Sequence, residues 1–344
     1  MRAFRRGLLV SAALAVAAMT LSGCAASTTT PDGESDGELT LYAGRDEALI
    51  APLLAQFTAD TGIEVSARYG STSELGALLL EEGNNTPAEV FLSQDAGALG
   101  ALANADLVAD IPADTAGLIP AGFTSQDNSW IGVTGRARVI AYDSQSVTEA
   151  ELPDSVGDLA GAEWTGRVGF APGNASFQSF LTALRVLDGE DAAADWVERV
   201  SANSPVLTES NGATLDLVSA GQLDVGLINH YYWFEDAAET GADNMRAQLK
   251  FLPGDAGGMV NVTGAAILAS SANDPDALAL IEYLVSEKAQ RYFVEETYEY
   301  PLLPGVAAPA GLPTLESLVN TGLDLSDLDS LEQTQSLLAE YGLL

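Results

Sequence analysis

Two tyrosines stand side by side in LINHYYWF, Leu227 to Phe234, between an apolar run and an acidic segment of helical character. A phenol titrates near pH ~10, so holding two phenolates at neutral pH requires a compact, highly charged cation. Hard oxygen anions match a hard cation, and Fe(III) is the common biological choice. The pair also admits a plainer use, with one ring packed in the core and the other stacked on an organic ligand in a cleft. If LDVGLI is a strand that ends at Asn229, then His230, Tyr231 and Tyr232 fall on the turn into a helix. Adjacent residues on a helix differ by roughly 100° and can converge on one point, whereas on a strand they face opposite ways.

Enzymatic chemistry finds little to work with. The single histidine, His230, would have to serve any Ser-His-Asp or Cys-His arrangement, and GxxxxGK[ST] does not occur. Paired carboxylates for glycoside hydrolysis are not indicated. The expectation is a binding protein and no enzyme, with His230 hydrogen-bonded locally.

The N-terminus has a basic start at Arg2, Arg5 and Arg6, an apolar middle and a small-residue end, the pattern of a secretory signal over residues 1–23. Its end, Leu21-Ser22-Gly23-Cys24, looks like the lipobox of bacterial lipoproteins, in which the Cys carries the lipid. Cys24 is the one cysteine in the chain, so no internal disulfide can form, and acylation would consume a thiol otherwise left free. Residues 24–38 read as a flexible, acidic tether. Removing the three signal arginines from the 14 basic residues leaves 11 against 49 acidic ones, a formal charge of −38. Nucleic acid is excluded as a partner on that balance. The remainder has no apolar run long enough for another membrane span.

The elements that must position the tyrosines alternate between strand and helix. ELTLYAG, IEVSARY and PAEVFLS read as strands, with helices in ALIAPLLAQFTADTG and STSELGALLLEEG between them, a βαβαβ unit. Pro52 is expected in the first turn of its helix. WIGVTGRARVIAYD is an alternating segment long enough to pass from one lobe to another. A second α/β unit follows, with RVGFAP and LDVGLI as strands and SFQSFLTALRVLDG, AAADWVERVSA and NGATLDLVSAG as helices. MVNVTGAAILA could return to the first lobe, and DPDALALIEYLVS opens a helix with Asp274 as cap and Pro275 at its first position. About 300 residues exceed the usual single core, so two α/β lobes joined by crossing strands are expected, with a ligand cleft between them.

The chain resembles the bacterial ferric-ion-binding proteins, the extracytoplasmic substrate-binding components of iron ABC transporters. LTLYAGRDEALI, TPAEVFLSQDAGAL, TGRARV, AYD, GFAPGNASFQ, NGATLDLVSAGQLDVGLINHYYW and VTGAAIL carry the likeness. The resemblance implies a two-lobed α/β fold of the class II periplasmic-binding-protein type, each lobe a mixed, mostly parallel sheet flanked by helices and joined by hinge strands. The lobes would comprise 39–135 with 262–312, and 136–261 with 313–344. The family's tyrosine dyad falls on Tyr231 and Tyr232, after its Asn at Asn229. Where many members have a His, this chain has Asp46, and where they use a Glu it has Gln94 beside Asp95. Either position could ligate, or neither. The family's synergistic anion, phosphate or carbonate, would sit at Asn174, Ala175 and Ser176, with Arg136, Asn211 and Asn229 at anion-contacting positions. The implied protein is monomeric, is lipid-anchored to the outer face of the cell membrane through Cys24, and passes Fe(III) to an ABC permease. The rival reading is a receptor for an organic anion such as a phosphonate or organophosphate.

Overall fold

The computed structural model describes residues 35–319 and 322–344. The signal segment, Cys24 and the tether up to residue 34 lie outside the described residues. The last part of the expected tether is already engaged, since the Ser35 hydroxyl and the Gly37 N–H both donate to Asp276, and the first strand begins at Glu38.

Ten strands are present among the described residues: β1 (Glu38–Ala43), β2 (Glu64–Tyr69), β3 (Val90–Ser93), β4 (Ile131–Asp143), β5 (Val168–Phe170), β6 (Val206–Leu207), β7 (Val225–Asn229), β8 (Ala247–Lys250), β9 (Val260–Ile267) and β10 (Tyr300–Pro301). Their order is β2-β1-β3-β9-β4-β7-β5-β6, and β8 and β10 pair with β4 off this path. The predicted βαβαβ unit forms the parallel β2-β1-β3 group. A second parallel group is β7-β5-β6. β9 is antiparallel to both β3 and β4, which makes the sheet mixed.

β4 ties the two groups together. Its first part, Ile131 to Ala137, pairs with β9, and from Arg138 onward it pairs with β7 and β8. All of β4 is buried, as expected for a strand covered on both faces. Arg136 and Arg138, two apart on the strand, project to the same face on either side of this change of partner.

The helices obey local capping chemistry. Ser71 accepts from the Glu74 N–H while Glu74 reaches back to Ser71, a complete capping box that starts Thr72–Glu82. Ser71→Ala is expected to cost about 1 kcal/mol of stability, read as a lowered melting midpoint. Gly62 closes Glu47–Thr61 with φ of 82°, where a side chain would strain the backbone. Pro52 departs from expectation, because this helix starts at Glu47 and the proline falls in its second turn. There it removes the donor for the carbonyl of Ala48, and Ala48 is exposed, so water can take that place. Asp274 caps Pro275–Leu284 as its sequence predicts.

The C-terminal segment touches both parallel groups. In the helix Leu331–Glu340, Thr334 shares a 2.7 Å hydrogen bond with Thr182 and accepts from Arg185 at 2.8 Å. Just before it, Asp329 accepts from Asn104 of the helix Ala96–Asn104 at 2.7 Å. None of the described helices is long and apolar enough to cross a membrane.

Candidate metal centre

The predicted strand-to-helix turn is present: β7 ends at Asn229 and the helix His230–Thr240 begins at the next residue. Tyr231 and Tyr232 therefore sit in its first turn. Their rings are stacked, with centroids 4.2 Å apart and planes inclined by 26°. Tyr231 is buried and Tyr232 partly exposed, and both line one cavity of about 790 Å³ together with Asp46 and Gln94. His230 points away from this cavity into the protein. Its Nδ1 accepts from the Ala137 N–H at 3.1 Å, and its Nε2 lies 2.9 Å from the Tyr298 carbonyl, which fixes the Nε2–H tautomer. Burial pulls its pKa down to about 4, so the ring is neutral and serves to lock the helix start against β4.

The opposite wall of the cavity is built around Gly44. A Cβ at this position would lie 2.2 Å from the Thr72 hydroxyl oxygen, so only glycine lets the chain after β1 approach the helix Thr72–Glu82. That hydroxyl donates to the Gly44 carbonyl and accepts from the Gln94 N–H at 2.8 Å, joining the two segments that carry Asp46 and Gln94. Asp46 is exposed and uses Oδ1 to cap the helix Glu47–Thr61, leaving its second oxygen for the cavity. Gln94 donates its side-chain amide to the Tyr231 hydroxyl at 3.4 Å. Asp95, its neighbour, turns inward to cap the helix Ala96–Asn104 and does not line the cavity.

Two buried guanidiniums stand behind Tyr231. Arg45 lies 6.0 Å from the ring centroid and pairs with Glu299 at 2.9 Å. Arg136 approaches the same carboxylate at 3.7 Å, an ion-pair distance too long for a hydrogen bond, and donates to the Val262 carbonyl. Arg136 Nε and Nη1 and Arg45 Nη2 have no hydrogen-bond partner among the described residues. Burial pushes the Tyr231 phenol well above its ordinary value and Tyr232 adds to this, while Arg45 and Arg136 act in the other direction. Tyr231 is thus held protonated beside positive charge.

The other predicted polar group gathers at the start of the helix Ala175–Asp188. Asn174 caps it by accepting from the Ser176 N–H at 3.0 Å, and Asn211 donates to the Ser176 hydroxyl at 3.1 Å. Ala175 is the first residue of that helix. The arginine that reaches this group is Arg138, donating to the Ser176 hydroxyl at 3.1 Å, while Arg136 turns toward Glu299. Arg138 is buried over the rings of Phe177 and Phe180 and has no carboxylate partner among the described residues. Burial pulls its pKa down to about 9, which leaves it charged at neutral pH. Asn211 Oδ1 and Asn229 Nδ2 are buried without partners.

Sequence reasoning missed Arg45, Arg138, Glu299 and Glu235. Arg138 had a readable signal, since a strand side chain two residues from Arg136 shares its face. Glu235 had one too, one turn beyond Tyr231 on the same helix. No group of three or more His, Cys, Asp or Glu among the described residues could hold a metal. A cation site formed by the described residues would need donors besides these, and the paired phenols are hard oxygen ligands of that kind.

Residues 85–319 match the family described as bacterial extracellular solute-binding protein. The Fe(3+)-binding periplasmic protein of Serratia marcescens is 34% identical over 312 residues, covering 90% of this chain and 92% of that protein. Iron-bound HitA from Pseudomonas aeruginosa superposes with a TM-score of 0.84 at 32% identity, over 89% of this chain and 99% of its own. The Trichodesmium protein IdiA (FutA), in complex with iron and citrate, does so with a TM-score of 0.76 at 28% identity, over 89% and 100%. The fold is thus the mixed α/β two-domain fold of the periplasmic binding proteins, and the relatives named here are binders and not enzymes. With a family match over more than half its length and a 34% identical relative aligned almost end to end, the chain belongs to the bacterial extracellular solute-binding proteins.

Proposed function

We propose that this extracytoplasmic protein captures one ferric ion between Tyr231 and Tyr232 and delivers it to the permease of an ABC transporter for iron uptake. The stacked phenol pair facing one cavity carries the reading. The Serratia relative is an Fe(3+)-binding protein and the Pseudomonas structure holds iron, which supports the same cargo here. Asp46 and Gln94 are the rim positions from which a further donor could come. A companion anion, phosphate or carbonate, binds at Asn174, Ala175, Ser176 and Asn211, with Asn229 nearby. Arg138 favours this part of the reading, because a buried guanidinium without a carboxylate partner calls for an anion. Arg136 and Arg45 act on the phenol side, where their positive charge favours phenolate over phenol.

In this reading the lobes 39–135 with 262–312 and 136–261 with 313–344 close about β4 and β9. Closure removes water from the ion and forms the surface that the permease reads, a ligand-driven population shift. The protein acts as a monomer held to the outer face of the cell membrane by lipid on Cys24. The size of the cavity, about 790 Å³, favours a second reading in which an organic anion, free or as part of a ferric chelate, occupies the space.

Titration of the purified protein with ferric citrate separates these readings, because phenolate bound to Fe(III) produces a visible charge-transfer band that an organic anion alone cannot. A solution that stays colourless while a phosphonate or organophosphate saturates the cavity refutes iron capture. The pH dependence follows from the phenols. Since burial keeps Tyr231 protonated past neutrality, loading must expel its proton, and apparent affinity falls as pH falls. Half-removal of iron by citrate is expected at a lower citrate concentration at pH ~5.5 than at pH ~7.5.

A further inference from the structure

We propose that Glu235 is the carboxylate that completes the ferric site, a step that rests on the proposed capture of iron by Tyr231 and Tyr232. Helical geometry brings it there. Glu235 follows Tyr231 by four residues and Tyr232 by three on the helix His230–Thr240, the two spacings that stack side chains on one face. It lines the same cavity as both phenols, Asp46 and Gln94.

Its surroundings leave it unsatisfied. Glu235 is half-buried, and its Oε1 is shielded from solvent without a hydrogen-bond partner among the described residues. An acceptor in that position forfeits its hydration and gains nothing in return. Glu299, Asp236 and Asp46 repel its charge, Arg45 alone favours it, and burial is the largest effect, so the carboxyl is pushed up to about 7. A cation at the phenols would supply what the carboxylate lacks.

The other donors fit the role less well. Asp46 is exposed and already commits one oxygen to its helix cap, and Gln94 is neutral and directs its amide donor at Tyr231. Asp236 also lines the cavity but has the like charges of Asp216 and Glu239 beside it, and Glu47, Glu239 and Glu296 on the same lining are exposed. Charge balance also asks for a third anion. Fe(III) on two phenolates retains one positive charge, and Arg45 and Arg136 stand immediately behind, with Glu299 between them and Asp95 acting on Arg136. With Glu235 bound, the ion is neutral in formal charge. Its carboxylic acid gives up a proton to solvent as the Fe–O bond forms, and the iron stays ferric throughout.

The test compares the full chain with its Glu235→Gln, Glu235→Asp and Asp195→Asn variants, each titrated with ferric citrate. The readouts are the wavelength of the phenolate-to-iron band and the citrate concentration that removes half of the iron. Glu235→Gln is expected to weaken iron retention by at least roughly tenfold. It should also move the band to longer wavelength, because a neutral amide gives the metal less electron density and makes it easier to reduce. Glu235→Asp should restore part of both effects, and Asp195→Asn, a surface change outside the cavity, should change neither. A role in packing alone would not move the band. A coloured wild type with an unchanged Glu235→Gln variant overturns the assignment of Glu235 alone. A colourless wild type overturns iron capture and this inference with it.

Discussion

Tyr231→Phe and Tyr232→Phe are each expected to lower ferric affinity by roughly 10²–10³-fold or more and to bleach or shift the visible band. Removing one partner from a desolvated charge pair costs about 3–5 kcal/mol. At about 1.4 kcal/mol per tenfold, that is two to three and a half decades of binding constant. Tyr231 should show the larger loss, because it is the buried ring and has both Arg45 and Arg136 acting on it. The metal-free proteins should melt near the wild-type midpoint. The one hydrogen bond that Tyr231→Phe removes is the 3.4 Å contact from Gln94, and a single bond of this kind contributes at most about 1 kcal/mol. Affinity by citrate competition, the absorption spectrum and a thermal melt therefore separate loss of a ligand from loss of fold. Retention of the full band by both variants would remove these tyrosines from the site.

How much of this was legible in the sequence follows the range of the interactions. The βαβαβ segments and the Asp274-Pro275 start are set by neighbours within a few residues, and both appear where the sequence puts them. The turn that pairs the phenols belongs to the same class, since it needs only β7 to end at Asn229. Pro52 shows the limit, because the helix start moved upstream to Glu47 under the Asp46 cap. The charge network behind the phenols was not legible. Arg45, Arg136 and Glu299 meet across separations of up to 254 residues, and nothing in GRDE or TYEYP announces that pairing. The exchange of roles between Arg136 and Arg138 is likewise a tertiary fact. Both face the same way on β4, and only the change of partner strand between Ala137 and Arg138 sends one to Glu299 and the other to Ser176.

Glu299→Gln is expected to be the most destabilising single change in this region, by about 3–5 kcal/mol. The carboxylate is fully buried and accepts from Arg45, Thr134 and Thr297, with Arg136 beside it. Neutralising it leaves two buried guanidiniums facing each other, and Arg136 is already pulled down by burial and by the charge of Arg45. Because Thr134 and Arg136 lie on β4 and Thr263 on β9, the loss falls where the sheet changes partners. A midpoint shift of about 2–4 °C per kcal/mol applies to chains of 150–250 residues. For this longer chain a fall of about 5–10 °C is expected. As a comparison, Asp195→Asn breaks a surface pair with Arg199 in which both side chains are about half exposed, and it should leave the midpoint unchanged within scatter. The double change Arg45→Gln/Glu299→Gln should recover part of the loss, since it removes one of the two positive charges along with the negative one. If Glu299→Gln melts within a degree of wild type, the buried network is not what holds these strands together, and the positive field assigned to Tyr231 must be reconsidered with it.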